Sequence, residues 1–312
     1  MKHFTSVNDV KNLGQLLEKA KQIKSDPTAD QSRGGKKIGL IFLNPSLRTR
    51  LSSIVAAQHL GIDPVVLDIG KDGWALEFSD GVKMDGDKAE HIKEAAAVMG
   101  LYFDALGVRT FPQLKDQQED YAEEILNGFI NYANVPIVSL ESATAHPLQG
   151  FADLLTIKEQ WKLDKKPKVV LTWAPHVKAL PQAVPNSFVN WMLAADMDLT
   201  ITHPAGYELD EKVTKNAQLI HDQSEALKDA DFVYVKNWSS FNDYGKVLST
   251  DTSWTFSKAH HDLTNQAKVM HCLPVRRGLV IANEVLDSEY AIHLEQANNR
   301  VYAMQTVLSE LL

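Results

Sequence analysis

Eight short apolar segments, rich in β-branched and aromatic residues, alternate along the chain with longer segments of helical periodicity. The predicted strands are Lys37–Leu43, Pro64–Ile69, Tyr102–Val108, Pro136–Leu140, Lys168–Trp173, Asp198–Thr202, Phe232–Val235 and Val269–His271. The predicted helices are Leu47–Leu60, Lys88–Met99, Glu119–Tyr132, Leu148–Trp161, Ala183–Ala194, Asp210–His221 and Ala297–Leu312. Such alternation is typical of βαβ units, so the sequence predicts an α/β fold with mostly parallel sheets.

A charged segment that ends in proline separates the first four predicted strands from the last four. Residues 163–167 read Leu-Asp-Lys-Lys-Pro. Eight strands could also close into one barrel, but a break in the middle favours two open sheets. A chain of 312 residues is long enough for two domains, and we place the hinge near residues 145–165. In open sheets of this kind, ligands bind where strands end and loops lead into helices.

Charge and cysteine content exclude several classes of function. The 32 Lys and Arg residues against 40 Asp and Glu residues give a net charge of −8. This charge disfavours broad binding to nucleic acids or anionic membranes, but it allows a local basic pocket. Cys272 is the only cysteine, so an intramolecular disulfide and a multi-cysteine metal site are impossible, and a reducing cytoplasm is expected. We find no signal-peptide core, no apolar stretch of about 18 residues, and no glycine-rich nucleotide or His-Glu-x-x-His zinc motif.

The segment Ser46-Leu47-Arg48-Thr49 follows the first predicted strand and opens a helix. Ser46 is a suitable N-cap, and the free N–H groups of a helix start bind anions. Arg48 adds a planar guanidinium suited to phosphate, and Thr49 adds a hydroxyl. The alternative is an ordinary cap followed by a solvated basic turn.

Two further segments follow predicted strands. In His146-Pro-Leu-Gln149, a neutral imidazole and an amide could both donate to a carbonyl oxygen; the alternative is a simple loop histidine. The segment His271-Cys272-Leu273-Pro-Val-Arg276-Arg277 brings two arginines to a strand end. A lone cysteine such as Cys272 is more often a small buried hydrophobic residue than a nucleophile.

The chain resembles the aspartate/ornithine carbamoyltransferase family over essentially its whole length. The resemblance is carried by three motifs in this order: Ser-x-Arg-Thr-Arg, His-Pro-x-Gln and His-Cys-Leu-Pro. The resemblance implies two doubly wound parallel-sheet domains. The first would bind carbamoyl phosphate and comprise residues 1–147, with a C-terminal helix at about 295–312 packing back on it. The second, residues 148–294, would bind the amino-acid substrate.

The resemblance also implies roles for individual residues. Leu47 stands where the family usually has threonine, so only its backbone N–H can serve. The set expected to bind carbamoyl phosphate is Ser46, Leu47, Arg48, Thr49, Trp74, Arg109, His146, Gln149, Cys272, Leu273 and Arg300. Those expected to be catalytic are Arg48, Thr49, Arg109, His146 and Gln149. No metal and no cofactor are expected.

The amine substrate is indicated by departures from the usual pattern. The Ser-Met-Gly loop of ordinary ornithine carbamoyltransferases is missing, and Lys236-Asn-Trp resembles the branch that acts on N-acylated ornithine. In that branch Glu141, His176, Lys236 and Arg276 would bind the acylornithine. Trp74 and the loop around Met84–Asp87 would enter the neighbouring subunit's site, which implies a homotrimer with shared active sites. The alternatives are a core role for Trp74 and a surface role for Lys236.

Ala89 indicates the acyl group. At the position that we align with Ala89, the acetyl-specific branch has glutamate and the succinyl branch has proline. A glutamate would repel the extra carboxylate of a succinyl group, whereas Ala89 would not; a slip of one residue would instead place Glu90 there. A seat for that carboxylate could come from Lys88, His91, Lys178, Arg276 or Arg277.

The sequence therefore predicts carbamoyl transfer to the side-chain amine of N-succinyl-L-ornithine, giving N-succinyl-L-citrulline and phosphate, in arginine biosynthesis. The alternative acceptor substrates are N-acetylornithine, then ornithine or another amine such as putrescine or an oxamate-like acceptor. A third possibility is a non-catalytic paralogue that binds metabolites. No proton acceptor can be named from the sequence, although the phosphate of the substrate is a candidate.

Overall fold

A computed structural model describes residues 1–312, which divide into two compact units. The first unit comprises Met1–Gln113, Gln117–Leu148 and Arg300–Leu312. The second comprises Leu114–Asp116 and Gln149–Asn299. Each unit contains its own parallel sheet with helices, which confirms the predicted fold class. None of the helices combines the length and the apolar composition that are needed to cross a lipid bilayer.

The first unit is built on a four-stranded parallel sheet with the order β2-β1-β5-β6. Its central strands are continuous apolar runs, buried on both faces, as parallel sheets require. A separate parallel ladder of two short strands, β3 and β4, lies before α4. The strands are β1 (Lys37–Phe42), β2 (Asp63–Asp68), β3 (Leu76–Glu77), β4 (Glu90–His91), β5 (Ala105–Arg109) and β6 (Ile137–Glu141). The helices are α1 (Leu13–Ser25), α2 (Leu47–His59), α3 (Ile69–Asp72), α4 (Ile92–Tyr102), α5 (Gln117–Ala122) and α6 (Glu124–Tyr132).

The second unit contains a five-stranded parallel sheet with the order β11-β10-β7-β8-β9. Its strands are β7 (Lys168–Trp173), β8 (Asp198–Thr202), β9 (Gln218–Leu219), β10 (Phe232–Lys236) and β11 (Lys268–Met270). Helix α7 (Pro147–Gln160) continues from the first unit into the second, and α13 (His293–Leu311) returns to the first. The remaining helices are α8 (Ala183–Ala194), α9 (Glu211–Thr214), α10 (Gln223–Leu227), α11 (Lys258–His261) and α12 (Asn283–Leu286).

All eight predicted strands are present, but one predicted helix is wrong. The segment Asp210–His221 forms only the single turn α9 and then the edge strand β9. Asp210 caps this turn by accepting from the backbone N of Lys212 at 2.9 Å. Pairing of Gln218 with Thr200 then draws the chain into the sheet. Tertiary pairing therefore overrides the helical pattern here.

Two other differences concern helices of the first unit. The predicted helix Glu119–Tyr132 is broken into α5 and α6, because Glu123 adopts a left-handed conformation with φ of 47°. Helix α1 was not predicted; its N-cap Asn12 accepts from the backbone N of Gln15. The start of α1 depends on a local side-chain cap, whereas the Glu123 carboxylate caps nothing and instead accepts from Ser142 and Thr144.

Candidate active site

The loop after β1 leads into a capped helix N-terminus. Ser46 has the extended backbone of an N-cap, and its hydroxyl accepts from the backbone N of Thr49 at 3.3 Å, which confirms the predicted cap. The Leu47 side chain is 70% exposed, so it leaves the helix start open. The first turn of α2 therefore presents backbone N–H groups and the positive end of the helix dipole.

Helix α13 brings Arg300 to this helix start. Its Nη2 donates to the Thr49 hydroxyl over 2.9 Å, and both side chains are buried. The two residues are 251 positions apart in the chain. The predicted association of the last helix with the first unit thus supplies a cation to the predicted phosphate site.

Arg109 and Glu141 end the neighbouring strands β5 and β6 and lie opposite each other in the register. Nη1 of Arg109 donates to Oε2 of Glu141, and both side chains are buried. The same carboxylate oxygen lies 3.7 Å from Nε2 of His146. Glu141, which was expected to bind acylornithine, therefore also orients Arg109 beside His146.

His146 is buried and surrounded by arginines. Burial is the main cause that lowers the pKa of His146 well below its usual value, and the charges of Arg300, Arg109 and Arg48 lower it further. The ring is consequently neutral at physiological pH. The first unit thus gathers the three arginines, the neutral imidazole and the start of α2, which together suit a bound phosphate and a polarised carbonyl.

The low pKa of His146 predicts an acid sensitivity of the fold. Below about pH 6.5 the unfolded chain protonates this histidine while the folded chain does not, so stability falls as the pH falls. The His146→Asn variant should lack this contribution. The urea denaturation midpoints of the wild type and the variant are compared at pH 7.5 and at pH 5. We expect the wild-type midpoint to fall relative to that of the variant as the pH is lowered. A difference that stays constant over this range would contradict the neutral assignment.

In the second unit, His176, Lys236 and Arg276 come together where β7 and β10 end. Nε of Arg276 donates to Nε2 of His176 over 3.1 Å, and Nδ1 of His176 lies 3.0 Å from the carbonyl of Lys178. Burial lowers the pKa of His176, and the charges of Lys236, Arg276 and Lys178 lower it further. Lys236 is buried, and its ammonium donates to the carbonyl of Asn237 over 2.9 Å. The cationic side chains of Lys236 and Arg276 are suited to a ligand with carboxylates.

Gln149 and the segment after β11 belong to one hydrogen-bonded network in the second unit. Nε2 of Gln149 donates to Oδ1 of Asp153 over 2.7 Å. Leu273 has a left-handed backbone with φ of 56°, and its N–H donates to Nδ1 of His271 over 2.8 Å. The half-buried Cys272 lies between His271 and Leu273 in the sequence. One N–H of the Gln149 amide thus donates to a carboxylate, and donation by this amide to a carbonyl oxygen of the substrate stays a prediction.

Asp153 was missed at the sequence level, although a signal was present. It lies four residues after Gln149, so both side chains share one face of α7. Gln296, the other partner of this carboxylate, is distant in sequence and had no such signal.

Trp74 is 59% exposed, so the alternative that it is a core residue is wrong. Its indole N–H donates to Glu90 at 2.9 Å, and the backbone N of the exposed Ala89 donates to the carbonyl of Ala75 at 3.2 Å. The β3–β4 ladder therefore anchors both ends of the loop that contains Met84.

Two of the five candidate seats for a second carboxylate are already engaged. Arg277 makes a two-pronged ion pair with Asp287, at 3.0 and 2.7 Å. His91 bonds to the carbonyl of Ser79 and caps α4. Lys88, Lys178 and Arg276 remain as candidates.

Comparison with known proteins identifies the family. The model of the aspartate/ornithine carbamoyltransferase carbamoyl-P binding domain matches residues 2–159, and that of the Asp/Orn binding domain matches residues 181–311. The chain belongs to the aspartate/ornithine carbamoyltransferase family. Both halves of the chain are thereby accounted for.

Several relatives are similar over the whole chain. An N-succinylornithine carbamoyltransferase of Bacteroides fragilis (strain 638R) is 48% identical over 315 residues, covering 100% of this chain and 99% of the relative. An N-acetylornithine carbamoyltransferase of Xanthomonas campestris pv. campestris is 35% identical, covering 100% and 98%. A solved N-acetyl-L-ornithine transcarbamylase, in which a glutamate is replaced by alanine, is complexed with carbamyl phosphate and N-succinyl-L-norvaline. It has a TM-score of 0.95 and 35% identity, with full coverage of both chains.

Proposed function

We propose that this protein transfers the carbamoyl group of carbamoyl phosphate to the side-chain amine of N-succinyl-L-ornithine. The products are N-succinyl-L-citrulline and phosphate, and the reaction would serve arginine biosynthesis in the cytoplasm. The observation that carries the carbamoyl-transfer step is the contact of Arg300 with Thr49 at the start of α2, together with the buried Arg109 and His146 that share the Glu141 carboxylate. Full-length relatives that are 48% identical support the acyl group.

Carbamoyl phosphate would be bound by the groups at the start of α2. Backbone N–H groups from Leu47 onward, the hydroxyls of Ser46 and Thr49, and the guanidinium of Arg48 suit the phosphate. Arg300 adds a second cation through its contact with Thr49. Arg109 and His146 would donate to the carbamoyl oxygen, where negative charge develops.

The chemical step requires orientation more than a nucleophilic side chain. The substrate amine attacks the carbamoyl carbon, a C–N bond forms, and the bond from that carbon to the phosphate oxygen breaks. The amine must lose two protons in total, starting from a group with a pKa of about 10.4 in water. The first goes to solvent and frees the lone pair before the attack, and the departing phosphate is a suitable acceptor for the second. These steps need neither electron transfer nor a cofactor.

The acylornithine would be bound by His176, Lys236 and Arg276, with Glu141 as a further contact. N-Succinylornithine carries two carboxylates, whereas N-acetylornithine carries one. Arg276 contacts His176 directly, and the charges of Lys236 and Lys178 also act on this histidine. Such an excess of positive charge favours the substrate with two carboxylates.

Ala89 supports the same choice of acyl group. Variants of the N-acetyl-L-ornithine enzyme in which one glutamate is replaced by alanine, valine, serine or proline are each complexed with N-succinyl-L-norvaline. We align that glutamate with Ala89, where this chain has a small uncharged side chain. The neighbouring Glu90 is engaged by the Trp74 indole.

The variant Ala89→Glu should shift the preference from N-succinylornithine toward N-acetylornithine by roughly 10–100-fold, because the new carboxylate repels that of the succinyl group. Specificity constants for both substrates measure this shift. Ala89→Gln is the matched control, since it adds the same bulk without the charge and should shift the preference less. Equal effects of Glu and Gln would mean that bulk alone decides.

A trimer with shared sites is also proposed. The first unit exposes a group of large apolar side chains from β2, α4 and the segment before β3, four of which line one surface pocket, and such apolar patches often mark an interface. Its members are Val65, Trp74, Val98, Leu101 and Tyr102. Contact between copies through this face would cover them and bring Trp74 toward another subunit.

The decisive experiment is a product screen by mass spectrometry. Carbamoyl phosphate is offered with ornithine, N-acetylornithine or N-succinylornithine in turn. We expect carbamoylated product mainly from N-succinylornithine. A dominant acetyl product would establish the second candidate, which the 35% identical relatives favour, and no product with any amine would leave only a binding role.

A further inference from the structure

The last helix, α13, makes another polar contact with α2 through Gln305. The Nε2 atom of Gln305 donates to the carbonyl of Pro27 over 2.6 Å, and its Oε1 lies 3.1 Å from Nδ1 of His59. His59 is the last residue of α2, whereas Thr49, which contacts Arg300, lies in its first turn. Polar side chains of α13 therefore contact both ends of α2, and all of these residues belong to the first unit.

The direction of both Gln305 contacts is dictated by chemistry. A carbonyl oxygen can only accept, so the amide NH₂ group must face Pro27 and the amide oxygen must face His59. Nδ1 of His59 consequently carries the hydrogen of the second bond. Gln305, which is 2% exposed, is thus engaged at both its amide nitrogen and its amide oxygen, as a buried polar group requires.

These directional contacts matter because apolar packing alone does little to fix the rotation of this part of α13. Residues 303–309 are seven consecutive buried residues, so about two turns of the helix are enclosed on every side. Apolar contacts have no preferred direction, whereas a buried hydrogen-bonded group can specify one register. Arg300 lies five residues before Gln305 on the same helix, so its guanidinium moves with that helix. A shift of about 1 Å would take its 2.9 Å contact with Thr49 out of hydrogen-bonding range.

We propose that Gln305 is a positioning residue for the anion site at the start of α2. By holding α13 against His59 and Pro27, it fixes the place of the Arg300 guanidinium beside Thr49. This inference rests on the proposed function, in which Arg300 supplies a cation to the phosphate group. It makes Gln305 a determinant of phosphate affinity that acts from the opposite end of α2.

The test measures the dissociation constant of inorganic phosphate by phosphorus NMR titration of the full-length protein. Gln305→Met keeps the volume of the side chain and removes both hydrogen bonds, so we expect phosphate binding to weaken about tenfold. Leu308→Ala is the matched control on the same helix. It creates a cavity at a fully buried position and lowers the stability, but it should keep the dissociation constant within about threefold of the wild type.

Two results would overturn the proposal. One is a loss of phosphate affinity that follows the loss of stability across Gln305→Met and Leu308→Ala, since Gln305 would then have a merely structural role. The other is an unchanged dissociation constant in a folded Gln305→Met protein. Urea denaturation of each variant supplies the stability for this comparison.

A matched pair of variants at His59 tests the other partner of the contact. Asn and Leu have nearly the same shape, but only Asn keeps an N–H donor close to the place of Nδ1. His59→Leu should weaken phosphate binding about fivefold, whereas His59→Asn should stay within about twofold of the wild type. Equal losses in the two variants would contradict the proposal, and this pair decides if Gln305→Met does not fold. A wild type that binds no phosphate and transfers no carbamoyl group would instead overturn the proposed function, so the two failures are distinguishable.

Discussion

Replacement of Arg48 by alanine should lower turnover by on the order of 10²–10³-fold while the fold is kept, because a preorganised cation is lost from the developing charge. Arg48 is the second residue of α2, two positions after the cap Ser46, whose hydroxyl accepts from the backbone N of Thr49. Its charge also acts on the buried His146. Steady-state assay of citrulline-type product, with circular dichroism as the folding check, measures the effect.

Two further variants separate charge from geometry. Arg48→Lys keeps the charge but loses the planar fork, so its activity should lie between those of the wild type and Arg48→Ala. Leu51→Ala, on the same helix and at an exposed position, should remain near wild type. Near-normal turnover in a folded Arg48→Ala protein would remove the phosphate-site assignment.

The second large effect is expected when two inactive variants are mixed. Arg48→Ala subunits lack the cation expected to bind phosphate, and Trp74→Ala subunits lack the residue expected to enter a neighbouring site. If sites are shared in a trimer, random mixing at equal amounts should restore activity in about one quarter of the sites, since each restored site needs one intact half from each type. The mixture is denatured or exchanged, reassembled, and assayed against each variant alone.

The exposed position of Trp74 makes this experiment informative. A residue that served only its own subunit could not rescue another, so no gain on mixing would contradict shared sites. Light scattering gives the oligomeric state independently. A fully active monomer would exclude the trimer altogether.

Eight strands could be predicted because they are short runs rich in apolar and β-branched residues. The cap at Ser46 could be predicted because capping is a local preference. The edge strand β9 could not, since Gln218 and Leu219 are exposed and become a strand only by pairing with β8. The break at Glu123 could not be predicted either, since its left-handed residue accepts from Ser142 and Thr144, which lie about 20 positions further along the chain.

At the candidate site, the sequence motifs predicted which residues take part but not which of them contact each other. The contact of Arg109 with Glu141 depends on the register between β5 and β6, and that of Arg300 with Thr49 on the return of α13. The contact between Asp153 and Gln296 joins residues 143 positions apart, so no local pattern predicts it. These are contacts between distant segments, so they follow from the fold and not from any motif.

The contact between Arg300 and Thr49 also has a consequence for biosynthesis. The chain leaves the first unit at Leu148 and returns to it only at Arg300. During translation, the helix start at Ser46 therefore exists long before its late arginine has been made. A nascent chain can fold much of the first unit and still lack the complete set of anion-binding groups. Carbamoyl phosphate would therefore bind the finished chain more tightly than its shorter precursors.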